Sequence, residues 1–322
     1  MTPALVSKIV ALIRDTSSSL PPDVLKALKS ALRKEKKGSS AAVVLKTVLD
    51  NCAIAAKRGT PLCQDTGTLT FFVDERLRRR VTPAVIAKAV AIATERGYLR
   101  KNTIDAVTGK SYDDNVCEGA PVIHYVESKK EEVRGKKCAV TLVLKGGGSE
   151  NMSRQYSLPD AALGAGRDLA GARKCILDAV QKIQGYGCAP GILGVCIGGD
   201  RATGYEVAKE QLLRPLDEVE KLRSCEVEKN LTSQPPNLAT SQLRNLEKRL
   251  LKEANELGIG PMGLGGKTTL LGVKIAARPR VPASFFVTVA YMCWACRRRM
   301  IEINGRSTPA GTAENAKKRK AL

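Results

Sequence analysis

The chain has 322 residues, 43% hydrophobic but only 4% aromatic, enough to bury an aliphatic core in one large domain or two modest ones. Its formal charge of +21 invites a nucleic-acid reading, but the basic residues recur in separate runs, Arg78-Arg79-Arg80, Lys136-Lys137, Arg297-Arg298-Arg299 and Lys317-Lys318-Arg319-Lys320, without the aromatic interleaving that stacks bases. That pattern argues against nucleic acid and fits a basic surface suited to an acidic partner or an anionic substrate, and no apolar run reaches the ~18 residues of a membrane span.

In chain order, the spacing of apolar residues predicts helices at Pro3–Arg14, Pro22–Lys36 and Ala41–Arg58, separated by Pro21-Pro22 and Gly38-Ser39-Ser40. The first is amphipathic, with Leu5, Ile9, Leu12 and Ile13 on one face, and does not read as a signal peptide. Leu69–Asp74 is a strand and Thr82–Glu95 a helix. Pro121–Val126 and Cys138–Leu144 are strands, the second ended abruptly by Gly146-Gly147-Gly148. Leu158–Gln184 is rich in small residues and helical in its second half, and Ile192–Ile197 is a buried strand. Tyr205–Lys229 and Ser241–Leu257 read as long charged helices joined by a linker at Ser233–Thr240, and Leu270–Ala276 and Ser284–Tyr291 as strands. We therefore expect an α/β (α+β) domain over 1–303, a helical N-terminal region packed on a mixed sheet, followed by a basic, disordered tail over 304–322.

Ten cysteines stand beside a single histidine, His124, which fits packing on a strand. With no secretory leader read from the sequence, the thiols are expected to be reduced and cytoplasmic, most of them small core residues. The scarcity of histidine leaves thiolate as the soft ligand available to a metal.

Four segments beside strand ends carry chemical potential. Thr60-Pro61-Leu62-Cys63-Gln64-Asp65-Thr66-Gly67 sets a thiol, an amide and a carboxylate in a row on a loop, or is a turn with an incidental cysteine. Lys145-Gly146-Gly147-Gly148-Ser149-Glu150-Asn151 offers backbone N–H groups to a carboxylate or phosphate, or is a surface turn. Gly187-Cys188-Ala189-Pro190-Gly191 aims a thiol inward at the start of a buried strand. Gly258 to Thr268 imitates a P-loop, but Pro261 stands where the first Walker glycine is required. Cys293-Trp294-Ala295-Cys296, near the end of a large domain, is poorly placed for a thioredoxin-like pair, and no second C-x-x-C supports a zinc ribbon or ferredoxin site. Three readings stay open on these residues alone: an enzyme with thiolate-held metal, a basic binding module, and a thiol redox protein.

Taken together and in this order, the Cys63-Gln64-Asp65-Thr66-Gly67, Lys145 to Asn151, Gly187 to Gly191, Gly258 to Thr268 and Pro282-Ala283-Ser284 through Cys293-Trp294-Ala295 segments resemble the class I fumarase and tartrate dehydratase family of iron–sulfur hydro-lyases over roughly residues 20–300. The resemblance implies that Cys63, Cys188 and Cys293 hold one [4Fe-4S] cluster with one open iron, and that Cys296 is incidental. It also implies substrate contacts from Gln64, Asp65, Arg100 and the backbone of Gly146, with Asp65 as a catalytic proton carrier. The substrate would be a small dicarboxylate, fumarate ahead of tartrate, with mesaconate-type acids a smaller possibility.

The sequence departs from that family at one position: relatives commonly carry His immediately before Pro-Ala-Ser, where this chain has Val281. The chain also ends soon after Cys293, so it resembles the separate alpha subunit of a two-chain enzyme, which implies a beta subunit that completes the site and an oligomer of alpha/beta units.

Overall fold

The computed structural model describes residues 3–127, 137–217 and 238–304. Apart from Asn304, the expected tail lies outside the described residues, as do Cys225 and the greater part of the linker expected at Ser233–Thr240. The helices are α1 (Pro3–Ser18), α2 (Pro22–Lys34), α3 (Ser40–Arg58), α4 (Pro83–Glu95), α5 (Gly147–Asn151), α6 (Leu169–Ile183), α7 (Arg201–Gln211) and α8 (Leu238–Glu256). The strands are β1 (Thr68–Asp74), β2 (Thr103–Ile104), β3 (Ser111–Tyr112), β4 (Val122–Val126), β5 (Lys137–Lys145), β6 (Arg154–Ser157), β7 (Gly191–Gly198), β8 (Leu270–Arg278), β9 (Phe286–Met292) and β10 (Arg297–Asn304).

Local chemistry explains many boundaries. Pro22 and Pro83 open α2 and α4 at a position where the missing N–H costs nothing. Ser39, Thr82, Asp168 and Asp200 each accept an N–H from the first turn of the helix they precede. The last cap begins α7 at Arg201, earlier than expected, and the helix stops at Gln211, far short of Lys229. Pro215 lacks the N–H that would continue the helix and disfavours the helical conformation at Arg214 just before it, and residues 218–229 of the expected helix lie outside the described residues.

The strands form two four-stranded mixed sheets rather than one, ordered β10-β5-β1-β4 and β6-β9-β7-β8, with β2-β3 a small hairpin. In the first sheet β1 runs parallel to β4 and antiparallel to β5, and β5 is antiparallel to β10. In the second, β7 runs parallel to β8 and antiparallel to β9. Three apolar cores result. Leu5, Ile9, Leu12 and Ile13 of α1 and Ile86 and Val90 of α4 cover Phe71, Leu142 and Leu144 on one face of the first sheet. Ile176 and Val180 of α6 and Leu250 of α8 cover Leu193, Val195, Val287 and Val289 of the second. Between them, α2, α3 and α7 pack in one cluster with Val143 from β5 and Ile192, Ala290 and Met292 from β7 and β9. Alternation along β5 sends Leu142 and Leu144 to one core and Val143 to the other. His124 sits on β4 and stacks on Phe72, ring centroids 5.1 Å apart.

Helix α8 covers the otherwise open edge of β8. Asn255 accepts the N–H groups of Thr269 and Leu270 at 2.7 and 2.8 Å, and Glu247 accepts that of Ile275 at 2.6 Å. Glu247 is buried and pairs with Arg214 at 3.0 Å. Glu247→Ala removes the acceptor of the buried Ile275 N–H and the ion pair of Arg214, and is expected to lower stability by ~3 kcal/mol in urea unfolding. Lys252→Ala, which removes only an exposed pair with Glu256, is expected to change it by less than about 0.5 kcal/mol.

Candidate active site

The antiparallel pairings gather the chemical segments at one end of the molecule. Thr68 at the start of β1 lies opposite Lys145 at the end of β5, so the loop ending at Gly67 faces the turn starting at Gly146. Arg297 at the start of β10 lies opposite Leu144. In the second sheet Ile192, just after Cys188, lies opposite Met292, just before Cys293. The four residues Cys293 to Cys296 carry the chain from β9 in one sheet to β10 in the other.

The first loop and the glycine turn touch. Gly67 has φ +76°, and a Cβ there would overlap the Lys145 carbonyl. A Cβ on Gly146 would stand 2.7 Å from Asp65 Oδ2, so glycine is what lets the carboxylate lie against this backbone. The Gly148 N–H donates to Asp65 Oδ2 at 3.4 Å and the Asn102 amide donates to Oδ1 at 3.3 Å. Beside them a cavity of about 350 Å³ is lined by Gly67, Asn102, Gly119, Pro121 and Gly147 among others. The Arg100 N–H donates to Thr66 Oγ1 at 2.9 Å, which seats Arg100 next to the Cys63–Gly67 loop, and its guanidinium is exposed and makes no hydrogen bond or ion pair among the described residues. Gln64 is exposed, its Oε1 3.6 Å from Cys63 Sγ.

Behind that loop Asn115 is fully buried in a left-handed conformation, φ +61°. Its Oδ1 accepts from the N–H groups of Asn102 and Thr103 at 2.8 and 3.0 Å, and its Nδ2 donates to the Arg100 carbonyl and Thr94 Oγ1 at 2.8 and 3.0 Å. One side chain therefore fixes Arg100 and Asn102 together.

The three candidate cysteines sit at this same end. Cys188 has φ +53°, a conformation that costs a non-glycine residue ~1–2 kcal/mol, and its thiol is raised by burial and then by Cys293, Cys63 and Asp65. The Cys293 thiol is pushed up by burial, while Ser149 and Arg297 pull it back. The Trp294 N–H reaches the Cys188 carbonyl at 3.4 Å, and the Cys293 N–H donates to Ser149 Oγ at 3.1 Å. The thiols at 63, 188 and 293 thus lie within one another's electrostatic reach. No group of three or more His, Cys, Asp or Glu side chains among the described residues is arranged to hold a single metal ion. Gly258 to Thr268 acts as a buttress: the Met262 N–H donates to the Ala189 carbonyl at 2.9 Å, beside Cys188.

Cys52, Cys138, Cys175, Cys196 and Cys296 are core residues, and none of the nine described cysteines forms a disulfide. Val281 is exposed and precedes β9, whereas Cys293 follows it. A strand of seven residues separates positions 281 and 293 by about 20 Å, so within this chain position 281 belongs to the opposite end.

The sequence assigned no role to several residues at the site, although Glu150 lies within the glycine segment it singled out. Arg297 looked like part of a surface basic run, yet it is 1% exposed, and its Nη2 donates to the Asp65 carbonyl at 2.7 Å. Glu150 bridges Lys145 and Lys209; burial acts against its carboxylate, but the two lysines outweigh it and hold its pKa below the ordinary value. Tyr291 is buried with its ring packed where Cβ atoms on Gly187 or Gly191 would fall, and its hydroxyl has no partner among the described residues.

Comparison with known proteins places these features in a lineage. A sequence model of the family described as fumarate hydratase (Fumerase) matches residues 6–302. The protein named "Putative fumarate hydratase class I" from Geobacillus stearothermophilus is 45% identical over 305 residues, which cover 93% of this chain and 55% of the relative. "Putative L(+)-tartrate dehydratase subunit alpha" from Methanocaldococcus jannaschii is 31% identical, covering 92% of this chain and 96% of the relative. L(+)-tartrate dehydratase subunit alpha from Escherichia coli K12 is 27% identical, covering 91% and 88%. The chain therefore spans about half the length of the first relative and nearly all of the second.

Asn115→Ala is expected to lower stability by ~1–3 kcal/mol for each buried partner it strands and to speed hydrogen exchange at the amides of Asn102 and Thr103. Unchanged exchange at those two amides in a folded variant would show that Asn115 does not hold the loop.

Proposed function

The chain belongs to the fumarate hydratase (Fumerase) family, and we propose that it is the iron–sulfur half of a hydro-lyase that reversibly hydrates fumarate to malate. The observation that carries this reading is the convergence, at one end of two sheets, of three thiol-bearing loops with the Asp65 carboxylate and the Gly146 turn. The 45% identity to a relative named for fumarate hydratase favours fumarate. The near-complete coverage of relatives named as tartrate dehydratase alpha subunits supports L(+)-tartrate as the second reading.

The donor set suits a [4Fe-4S] cluster better than a lone ion. A single ion draws its ligands into one small sphere, whereas a cubane takes one thiolate at each of three separate irons and so accepts a wider spacing. Two buried donors, Tyr291 Oη and Arg297 Nε, find no acceptor among the described residues, as expected beside a group rich in sulfur. Cys63, Cys188 and Cys293 would hold the cluster. When bound, it supplies an open iron that acts as a Lewis acid toward the hydroxyl leaving C2 of malate.

The remaining chemistry falls to the chain. Arg100, whose guanidinium is exposed beside the Cys63–Gly67 loop, takes a substrate carboxylate in a two-point contact. Gly146 brings backbone without a side chain to the same region, and Gln64 adds an amide. Asp65, oriented by Asn102 and Gly148, is the group in this chain placed to move the proton at C3, with a residue of the partner as the other candidate. Cys188, Gln64 and Arg100 are open to solvent, and such a site needs a cover to exclude water. A beta subunit would provide it, in a cytoplasmic oligomer of alpha/beta units; the Geobacillus relative has length to spare beyond the region matched here.

The test is anaerobic co-expression with the partner chain and a panel of fumarate, malate, tartrate and mesaconate. Cys63→Ser, Cys188→Ser and Cys293→Ser are each expected to lose iron and sulfide together with activity, and Cys296→Ser to keep both. Asp65→Asn is expected to retain the cluster and lose about 10²–10⁴ in kcat. Full iron content in all three serine variants would overturn the assignment.

A further inference from the structure

We propose that Arg297 is the internal counter-cation of the anionic group held by Cys63, Cys188 and Cys293, an inference that rests on the functional reading above. Arg297 is 1% exposed and is among the largest fully buried side chains of the protein. A buried guanidinium ordinarily has a carboxylate partner, because removing a charge from water costs several kcal/mol unless it is compensated. Its neighbour Arg298 obeys that rule, pairing with the half-buried Asp23 at 2.5 Å. Arg297 does not: among the described residues it forms no ion pair, and its Nη2 reaches only the Asp65 carbonyl, while its Nε is buried without an acceptor as those of Arg298 and Arg299 also are.

Its position supplies the missing charge. Arg297 begins β10, four residues after Cys293, opposite Leu144 and so beside the Lys145-Gly146 turn. Three thiolates around an oxidised [4Fe-4S] core, which carries two positive charges, leave one net negative charge, and one guanidinium balances it. Lys145, the buried cation on the paired strand β5, differs in having a carboxylate partner, Glu150, which it shares with Lys209. Without its anion Arg297 is a liability to the fold; with it, the same charge holds the group in place. Through the Asp65 carbonyl it also links the charge of that group to the position of the proposed proton carrier.

The experiment uses the full chain, loaded anaerobically with ferrous iron and sulfide, as wild type and as Arg297→Lys, Arg297→Gln and Arg297→Met. Iron and sulfide per chain, the midpoint potential followed by electron paramagnetic resonance, the rate of iron loss to a chelator, and urea unfolding of the metal-free chain are measured. Removal of the cation is expected to make reduction harder, so the Gln and Met variants should show lower midpoints and lose iron about 10–100-fold faster, while Lys stays near wild type. The metal-free Met variant should be at least as resistant to urea as wild type. Wild-type midpoint and retention in the neutral variants would reduce Arg297 to a strut for the Asp65 loop and overturn the proposal, as would a metal-free Met variant that unfolds earlier or fails to fold. A folded wild-type chain that takes up no iron and sulfide overturns the functional reading and this inference together, an outcome distinct from equal behaviour of loaded variants.

Discussion

The four residues from Cys293 to Cys296 connect a strand of one sheet to a strand of the other, and a chain that short spans at most ~14 Å. This tether is the constraint on which the arrangement depends. It forces the end of β9 and the start of β10 into proximity, and the antiparallel partners of those strands follow: β7 brings Cys188, while β5 and β1 bring Gly146 and Cys63. Residues as far apart in sequence as 63 and 293 are brought to one end of the molecule because strand ends, not loops, set their positions. The shared core of α2, α3 and α7 over Val143, Ile192 and Ala290 locks the tether by packing both sheets against the same helices.

Strand pairing alone leaves the loops themselves to be fixed, and here buried polar groups take over. Asn115 satisfies four backbone or hydroxyl groups and so removes the freedom of the Arg100–Thr103 segment. Ser149 holds Cys293 through its N–H, and the adjacent Glu150 anchors α5 between Lys145 and Lys209. Each of these is costly if left half-made, which makes the site's geometry specific as well as stable.

Much of this was legible in the sequence. Amphipathic spacing and proline or serine caps located α1 to α4, and the continuous apolar run of Ile192–Ile197 marked a strand covered on both faces. The order of the glycine and cysteine segments pointed to the end where the site forms. The failures have physical causes. Arg297-Arg298-Arg299 reads as a solvated run because sequence cannot show that β10 pairs with β5, which turns Arg297 inward and leaves Met300 at the surface. Asn115 lies in the polar string Asp113-Asp114-Asn115, and only its left-handed backbone and burial distinguish it from its neighbours. The glycine triplet read as a source of free backbone N–H groups or as a surface turn, and neither reading showed that it opens the short helix α5, which is anchored by the Glu150 bridge and not by helix propensity. The second sheet was not separable from the first, because the crossing at residues 293–296 is a tertiary event with no local signature.

The same surroundings explain how the fold distinguishes among thiols of one residue type. A cysteine becomes a ligand only by losing its proton, and burial in an apolar core opposes that loss. Burial pushes Cys52, Cys175 and Cys196 up to about 11 and Cys296 up to about 12, so they remain neutral packing groups at physiological pH. Cys293 and Cys296 are three residues apart, the first half-buried and the second buried, and their cations differ. Arg298, the positive neighbour of Cys296, is already committed to Asp23, whereas Arg297, the positive neighbour of Cys293, has no carboxylate of its own. One strand register decides which arginine faces which thiol, and with it which half of a C-x-x-C pair is equipped to carry negative charge.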